Sequence, residues 1–263
     1  MPSINNGENL FWAGGCASCH AADGAVEEAK LLLSGGHVLK SQFGDFIAPN
    51  ISTSKKAGIG NWSLEEFANA MVMGVSPRGK HYYPAFPYAS YAKMTLSDVS
   101  DLYSFMQTLP ESEVASLETE LAFPFNIRRG VGLWKKLYVR QSNVIAPEPQ
   151  MSDAQWLRGQ YLVEGPGHCG ECHTPRTLAG GMDMSRWLQG APTPDAKGNI
   201  PGITNADADL YSWSAEEIAY ALESGFTPEF DSLGSTMADV VLNYAKVKAD
   251  DREAIAAYLK SLN

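Results

Sequence analysis

The side chains best suited to chemistry come in two matched sets. Every cysteine of the chain falls into one of two copies of a single arrangement, Cys16-Ala17-Ser18-Cys19-His20 and Cys169-Gly170-Glu171-Cys172-His173. Two thiols three positions apart reach the two vinyl groups on one edge of a porphyrin as thioethers, and the histidine that follows lies under the ring as a ligand to iron. The chemistry offered is covalent attachment of two haem c groups, through Cys16 and Cys19, and Cys169 and Cys172, with His20 and His173 as proximal iron ligands. Three other readings compete. A thioredoxin-like redox pair does not require histidine next in both copies. Zinc held by the four thiolates leaves the adjacent histidines unexplained. Disulfides closing such small loops are uncommon. Two copies that use every cysteine favour haem.

An iron that only carries electrons needs a ligand on its far side, commonly methionine. In the second half Met182 and Met184 follow His173 too closely to reach the opposite face. Met237, in Gly234-Ser235-Thr236-Met237, is expected in a loop shortly before the last helix and is the candidate. In the first half the position matching Met237 is Pro84, within Tyr82-Tyr83-Pro84-Ala85-Phe86-Pro87-Tyr88, which contains no methionine. Met94 is the nearest, although it directly precedes Thr95 and could equally act as a hydrophobic staple, as its counterpart Val247 would. His81, giving a bis-histidine iron, is the second candidate, and an open iron the third. Met71 and Met73 read as core.

The elements that must hold these residues repeat along the chain. Cys169 follows Cys16 by 153 positions; Trp62-Ser63-Leu64-Glu65-Glu66 is echoed by Trp213-Ser214-Ala215-Glu216-Glu217, and Gly74 by Gly225, both 151 positions on. Pro49-Asn50-Ile51 has a looser echo in Pro201-Gly202-Ile203, and Leu102-Tyr103-Ser104-Phe105-Met106 in Ile255-Ala256-Ala257-Tyr258-Leu259. Each half reads as mostly helical. Ser63 with Glu66, and Ser214 with Glu217, form capping boxes. The helix from Leu64 to Met73 ends at Gly74. Ser152 with Gln155 opens the helix leading to the second haem motif. Thr95 with Asp98 opens the helix closing the first half, and Asp250 with Asp251 the one closing the second. The expectation is an all-α fold of two tandem domains, residues 1–111 and 151–263, joined by a linker over residues 112–150.

That linker holds Arg128, Arg129, Lys135, Lys136 and Arg140, with no acid between Asn126 and Gln141, and Pro147 and Pro149 stiffen its end. It reads as a segment that packs across both domains, anchored by Trp134, Leu137 and Tyr138, rather than as a partner for haem propionates. Elsewhere acids dominate: 30 Asp and Glu against 20 Lys and Arg give a net charge of −10, which argues against nucleic acid as a partner and suits a protein with a basic docking surface. No apolar run approaches the roughly 20 residues that span a bilayer. The start Met1-Pro2-Ser3-Ile4 lacks the basic-then-apolar pattern of a secretion signal. Haem is joined to such proteins outside the bacterial cytoplasm, so the expectation is a periplasmic protein whose signal has been removed.

Taken together, these residues resemble the di-haem cytochrome c family that serves as electron-accepting subunits or partners of periplasmic dehydrogenases, including alcohol and aldehyde dehydrogenases. The resemblance covers nearly the whole chain. It rests on Gly14-Gly15-Cys16-Ala17-Ser18-Cys19-His20, Pro49-Asn50-Ile51, Gly58-Ile59-Gly60-Asn61-Trp62-Ser63, Tyr83-Pro84-Ala85-Phe86-Pro87-Tyr88, Gly165 to Arg176, and Met237-Ala238-Asp239-Val240-Val241. Phe86 departs from relatives that carry methionine there. The resemblance implies that Pro49, Asn50 and Pro201 line the haem pockets and that Arg176 sits near a propionate. It implies electron transfer between a dehydrogenase as donor and a cytochrome or terminal oxidase as acceptor, and favours this over catalysis. The alternative is a di-haem enzyme, peroxidase-like or thiosulfate-oxidising, with the first haem as active site. No Ser-His-Asp order or phosphate loop stands out, and His37 and His168 read as surface or pocket-rim residues.

Overall fold

The computed structural model describes residues 1–147, 153–194, 197–204 and 209–262, and these divide into two compact units, Met1–Val139 and Arg140–Asn263. Helices dominate, and the only sheets among the described residues are two two-stranded hairpins. The fold is all-α.

The first unit is built on α1 (Ile4–Ala13) followed at once by α2 (Cys16–His20), which carries the first haem motif. A hairpin of β1 (Val38–Ser41) and β2 (Gly44–Ile47) precedes α3 (Leu64–Met73), α4 (Tyr88–Tyr91) and α5 (Leu96–Met106). The expected capping box opens α3: Ser63 Oγ accepts from the Glu66 amide and the Glu66 carboxylate from the Ser63 amide. Gly74 closes it at φ 57°, a left-handed turn that glycine adopts without a Cβ clash. Thr95 caps α5 by accepting from the Asp98 amide. Helices α1 and α5 cross where Gly7 lies against the Asp101 carbonyl; a Cβ there would sit 2.1 Å from that oxygen. Around the crossing Leu10, Phe11, Val99, Leu102 and Phe105 are buried, each large side chain contributing roughly 1.5–3 kcal/mol.

The residues after Leu109 stay with this unit. Ser112, Val114 and Ser116 bond to Asn50, and α6 (Arg129–Tyr138) packs on the segment after α3. Lys135 Nζ donates to the carbonyls of Met73, at 2.7 Å, and Gly74. Trp134 meets the Tyr88 ring edge-on, and the Arg128 guanidinium lies 4.5 Å from the Tyr83 ring centroid. Leu137, expected as an anchor, is exposed.

The second unit pairs α7 (Ala154–Glu164) with α11 (Ala249–Ser261). Between them lie α8 (Gly170–His173), a short hairpin of β3 (Ala191–Pro192) and β4 (Asn199–Ile200), α9 (Ala215–Ser224) and α10 (Met237–Tyr244). Gly159 stands at the α7–α11 crossing, where a Cβ would meet the Ala254 carbonyl at 1.9 Å. Leu162, Val163, Ile255 and Tyr258 are buried there. Asp251 accepts both Nε and Nη2 of Arg158, at 2.7 and 2.8 Å, across the same pair of helices. Ser214 and Glu217 form the second expected capping box. Asp153 caps α7 through the Trp156 amide; Ser152, expected at that end, and Pro149 at the linker's end lie outside the described residues.

Candidate functional site

In each unit the haem motif is a single short helical turn placed directly after the unit's first long helix. In the first unit the turn carries both thiols, and in the second Cys169 is its N-cap and Cys172 lies within it; both end on the histidine, so the relative positions are set by helical geometry rather than by distant packing. Among the described residues no disulfide forms. Burial pushes the thiols of Cys16 and Cys169 up to about 12. A redox pair of the thioredoxin kind runs on a depressed thiol pKa, and burial acts on these two in the other direction.

The histidines are oriented in the same way in both units. His20 Nδ1 lies 2.8 Å from the Pro49 carbonyl oxygen, and His173 Nδ1 lies 2.8 Å from that of Pro201. A carbonyl only accepts, so Nδ1 carries the proton and Nε2 keeps its lone pair for a metal. Burial holds both imidazoles below their ordinary pKa, against the opposing pull of the carbonyl. A neutral ring with one nitrogen anchored and the other open is the form that ligates iron. These residues therefore fit a c-type haem in each unit: two thiols one turn apart and an imidazole with a fixed tautomer.

The sequence reading missed the pair of glycines that brace this arrangement. Gly35 donates to the His20 carbonyl and Gly190 to the His173 carbonyl, both at 2.7 Å. Each has positive φ, 73° and 88°. A Cβ on Gly35 would lie 2.5 Å from the Pro49 carbonyl carbon, and one on Gly190 would lie 3.0 Å from that of Pro201. The paired contexts Leu33-Ser34-Gly35 and Leu188-Gln189-Gly190 are the signal that could have found them, since Leu33 and Leu188 are both fully buried.

Other expected site residues are placed as follows. Pro49 and Pro201 are exposed beside their histidines. Asn50 is buried, and its amide is spent on the backbone: Nδ2 donates to the carbonyls of Ser112 and Val114, and Oδ1 accepts from the Ser52 amide. It fixes the segment carrying Pro49, just after β2. Arg176 donates to the carbonyl and to the carboxylate of Glu171, both at 2.6 Å, within the second haem motif. Met94 is buried directly before the α5 cap, as Val247 is before α11. Met237 corrects its expectation. It is not in a loop but is the first residue of α10, because Val240, Val241 and Tyr244 continue a helical apolar stripe from it. His81 lies beneath α6, with Nδ1 3.1 Å from Lys135 Nζ.

Comparison with known proteins agrees with this geometry. The sequence profile of the cytochrome c family matches residues 4–110. A diheme cytochrome c-type protein of Cereibacter sphaeroides is 52% identical over 260 residues, 97% of this chain and 84% of the relative. The fructose dehydrogenase cytochrome subunit of Gluconobacter japonicus is 36% identical over 266 residues, covering 99% of this chain and 53% of the subunit. The cytochrome c subunit of the quinone-type alcohol dehydrogenase of Gluconobacter oxydans is 32% identical over 277 residues, covering 98% and 54%. The chain thus spans about half the length of these two subunits. Among the described residues no helix is long and apolar enough to cross a membrane.

Proposed function

Because this chain belongs to the cytochrome c family, as a di-haem member, we propose that it passes electrons from a periplasmic dehydrogenase to a downstream cytochrome or terminal oxidase. It carries two covalently bound haem c groups. When bound, each supplies a one-electron iron couple. The protein's part is to hold each haem rigidly and to set its ligands. Cys16, Cys19, Cys169 and Cys172 anchor the rings, and His20 and His173 present Nε2 to the irons. Met237 is the distal ligand of the second iron and Met94 of the first; a thioether there raises the reduction potential. The two halves act as tandem cytochrome c domains, residues 1–111 and 151–263, with 112–150 as the linker.

The observation that carries this reading is the matched histidine-to-carbonyl bond, 2.8 Å in each unit. Each bond presents the same ligand atom beside its own pair of thiols. The dehydrogenase as donor rests on what the relatives are: cytochrome subunits of fructose and alcohol dehydrogenases. A periplasmic location follows from where haem is attached to such motifs.

Optical and electron-paramagnetic spectra of the oxidised protein, with Met94→Ala and Met237→Ala variants, test the assignment. Two low-spin irons are expected, each variant removing the methionine signature of one. A high-spin first iron in the wild type would overturn the carrier reading.

A further inference from the structure

Among the described residues, the second unit leaves open a surface whose counterpart the first unit covers. In the first unit α3 ends at Gly74, a bridge joins Val75 to His81, and Tyr88 lies beneath the glycine, 2.5 Å from where its Cβ would be. Helix α6 covers this surface. Lys135 Nζ caps the last carbonyls of α3, and Trp134 lies 6.4 Å from the Tyr88 ring, centroid to centroid. In the second unit α9 ends at Gly225, a bridge joins Phe226 to Ser232, and Val241 lies beneath the glycine, 3.2 Å from its would-be Cβ. The same surface is here an apolar groove of about 240 Å³, lined by Gly225, Phe226, Ser232, Leu233, Val241 and Leu242. Leu242 is 55% exposed, whereas Ala89, 153 positions earlier, is 7% exposed.

Charge selects the occupant. From Phe226 to Ala245 the chain carries Glu229, Asp231 and Asp239 and no lysine or arginine. A concave, acid-flanked groove repels an anionic bilayer and attracts a cationic helix. We infer that this groove docks a basic amphipathic helix of a redox partner. An aromatic side chain fills the groove, and a lysine or arginine caps the carbonyls of Ser224 and Gly225, as Trp134 and Lys135 do on the first unit. This rests on the tandem reading proposed above. It adds the face and the chemistry by which the second unit takes its partner.

The probe is a fluorescein-labelled peptide of residues 126–141, the segment containing α6, titrated into the full haem-loaded chain and followed by anisotropy. Saturable binding of one peptide per chain is expected, weakening as salt rises. Leu242→Asp and, separately, Phe226→Asp should each weaken it about ten-fold or more, the equivalent of about 1.4 kcal/mol. Both side chains are about half exposed, and unchanged haem absorbance will establish that the variants fold. A peptide with Trp134→Ala should bind correspondingly less. Lack of saturable binding overturns the proposal, as does binding that both chain variants leave intact, which would place the peptide elsewhere. Haem content measured on the same sample separates the two levels: two haems without peptide binding sinks the docking site alone, and a missing second haem sinks the tandem reading beneath it.

Discussion

Lys135 Nζ lies 3.1 Å from His81 Nδ1 while also donating to the carbonyls of Met73 and Gly74. An ammonium only donates, so His81 accepts at Nδ1 and carries its proton on Nε2. Gly132 closes on that second nitrogen; a Cβ there would be 2.8 Å from it. Both ring nitrogens are thus engaged or crowded by α6. Of the two protein ligands weighed for the first iron, this favours Met94 over His81.

The same contact predicts a pH dependence. Burial pushes Lys135 from its ordinary 10.5 down to about 8. Between those values the unfolded chain binds a proton that the folded chain has released, so stability rises with pH in this window. Below about 8 the part-buried charge is present in the folded state and opposes folding. Urea unfolding of the wild type and Lys135→Met at pH 7 and pH 9.5 checks this. The wild type should gain stability on the variant at the higher pH, and a difference that does not change with pH would refute the assignment.

Gly35→Ala should damage the first haem site specifically. Its φ of 73° alone costs a side chain about 1–3 kcal/mol, and the new Cβ would sit 2.5 Å from the Pro49 carbonyl carbon. Relief requires moving the carbonyl that orients His20. The expected result is a shifted potential and altered ligand bands for the first haem, with the second unchanged. Equal changes at both haems would refute a local bracing role.

Arg158 and Asp251 join α7 to α11 through two parallel bonds. Asp251 is buried and Arg158 partly exposed, so solvent weakens the pair relative to a fully buried one. Asp251→Asn should lower the stability of the second unit by about 1–3 kcal/mol, measured by denaturant unfolding. A loss below experimental error would mean that solvent already satisfies Arg158.

What was legible in the sequence was local. The Ser63–Glu66 and Ser214–Glu217 capping boxes and the Gly74 and Gly225 helix ends each depend on residues within a few positions of one another, and all appear as expected. Gly234 and Ser235 mark a loop at Met237, but the loop ends sooner: Ser235 turns at φ 57° and the helix begins two residues later. The long-range partnerships were not legible. That Asn50 would be used up by Ser112 and Val114, 62 and 64 positions away, or that Lys135 would cap a helix 62 positions earlier, leaves no periodic trace. Charge suggested that α6 would pack; only tertiary geometry selects the surface.

Glu164 passed unnoticed for the same reason. It is the last residue of α7 and is 1% exposed. Its carboxylate accepts from the amides of Val144 and Ile145 at 2.6 and 3.2 Å, from Tyr258 Oη at 2.8 Å and from Gln160 Nε2 at 3.1 Å. Four donors converge on one buried group and fasten residues 144 and 145 to the α7–α11 core. Removing the acceptor leaves the buried Tyr258 and Gln160 donors without it, each at about 1–3 kcal/mol, while the part-buried amides of Val144 and Ile145 turn to water. Glu164→Ala should therefore destabilise the second unit by roughly 2–6 kcal/mol, and Glu164→Gln, which keeps one acceptor oxygen, by less. Hydrogen exchange at Val144 and Ile145 should accelerate in both variants, more in the alanine one. If exchange there is unchanged while stability falls, the carboxylate supports the helix pair without fastening the incoming chain.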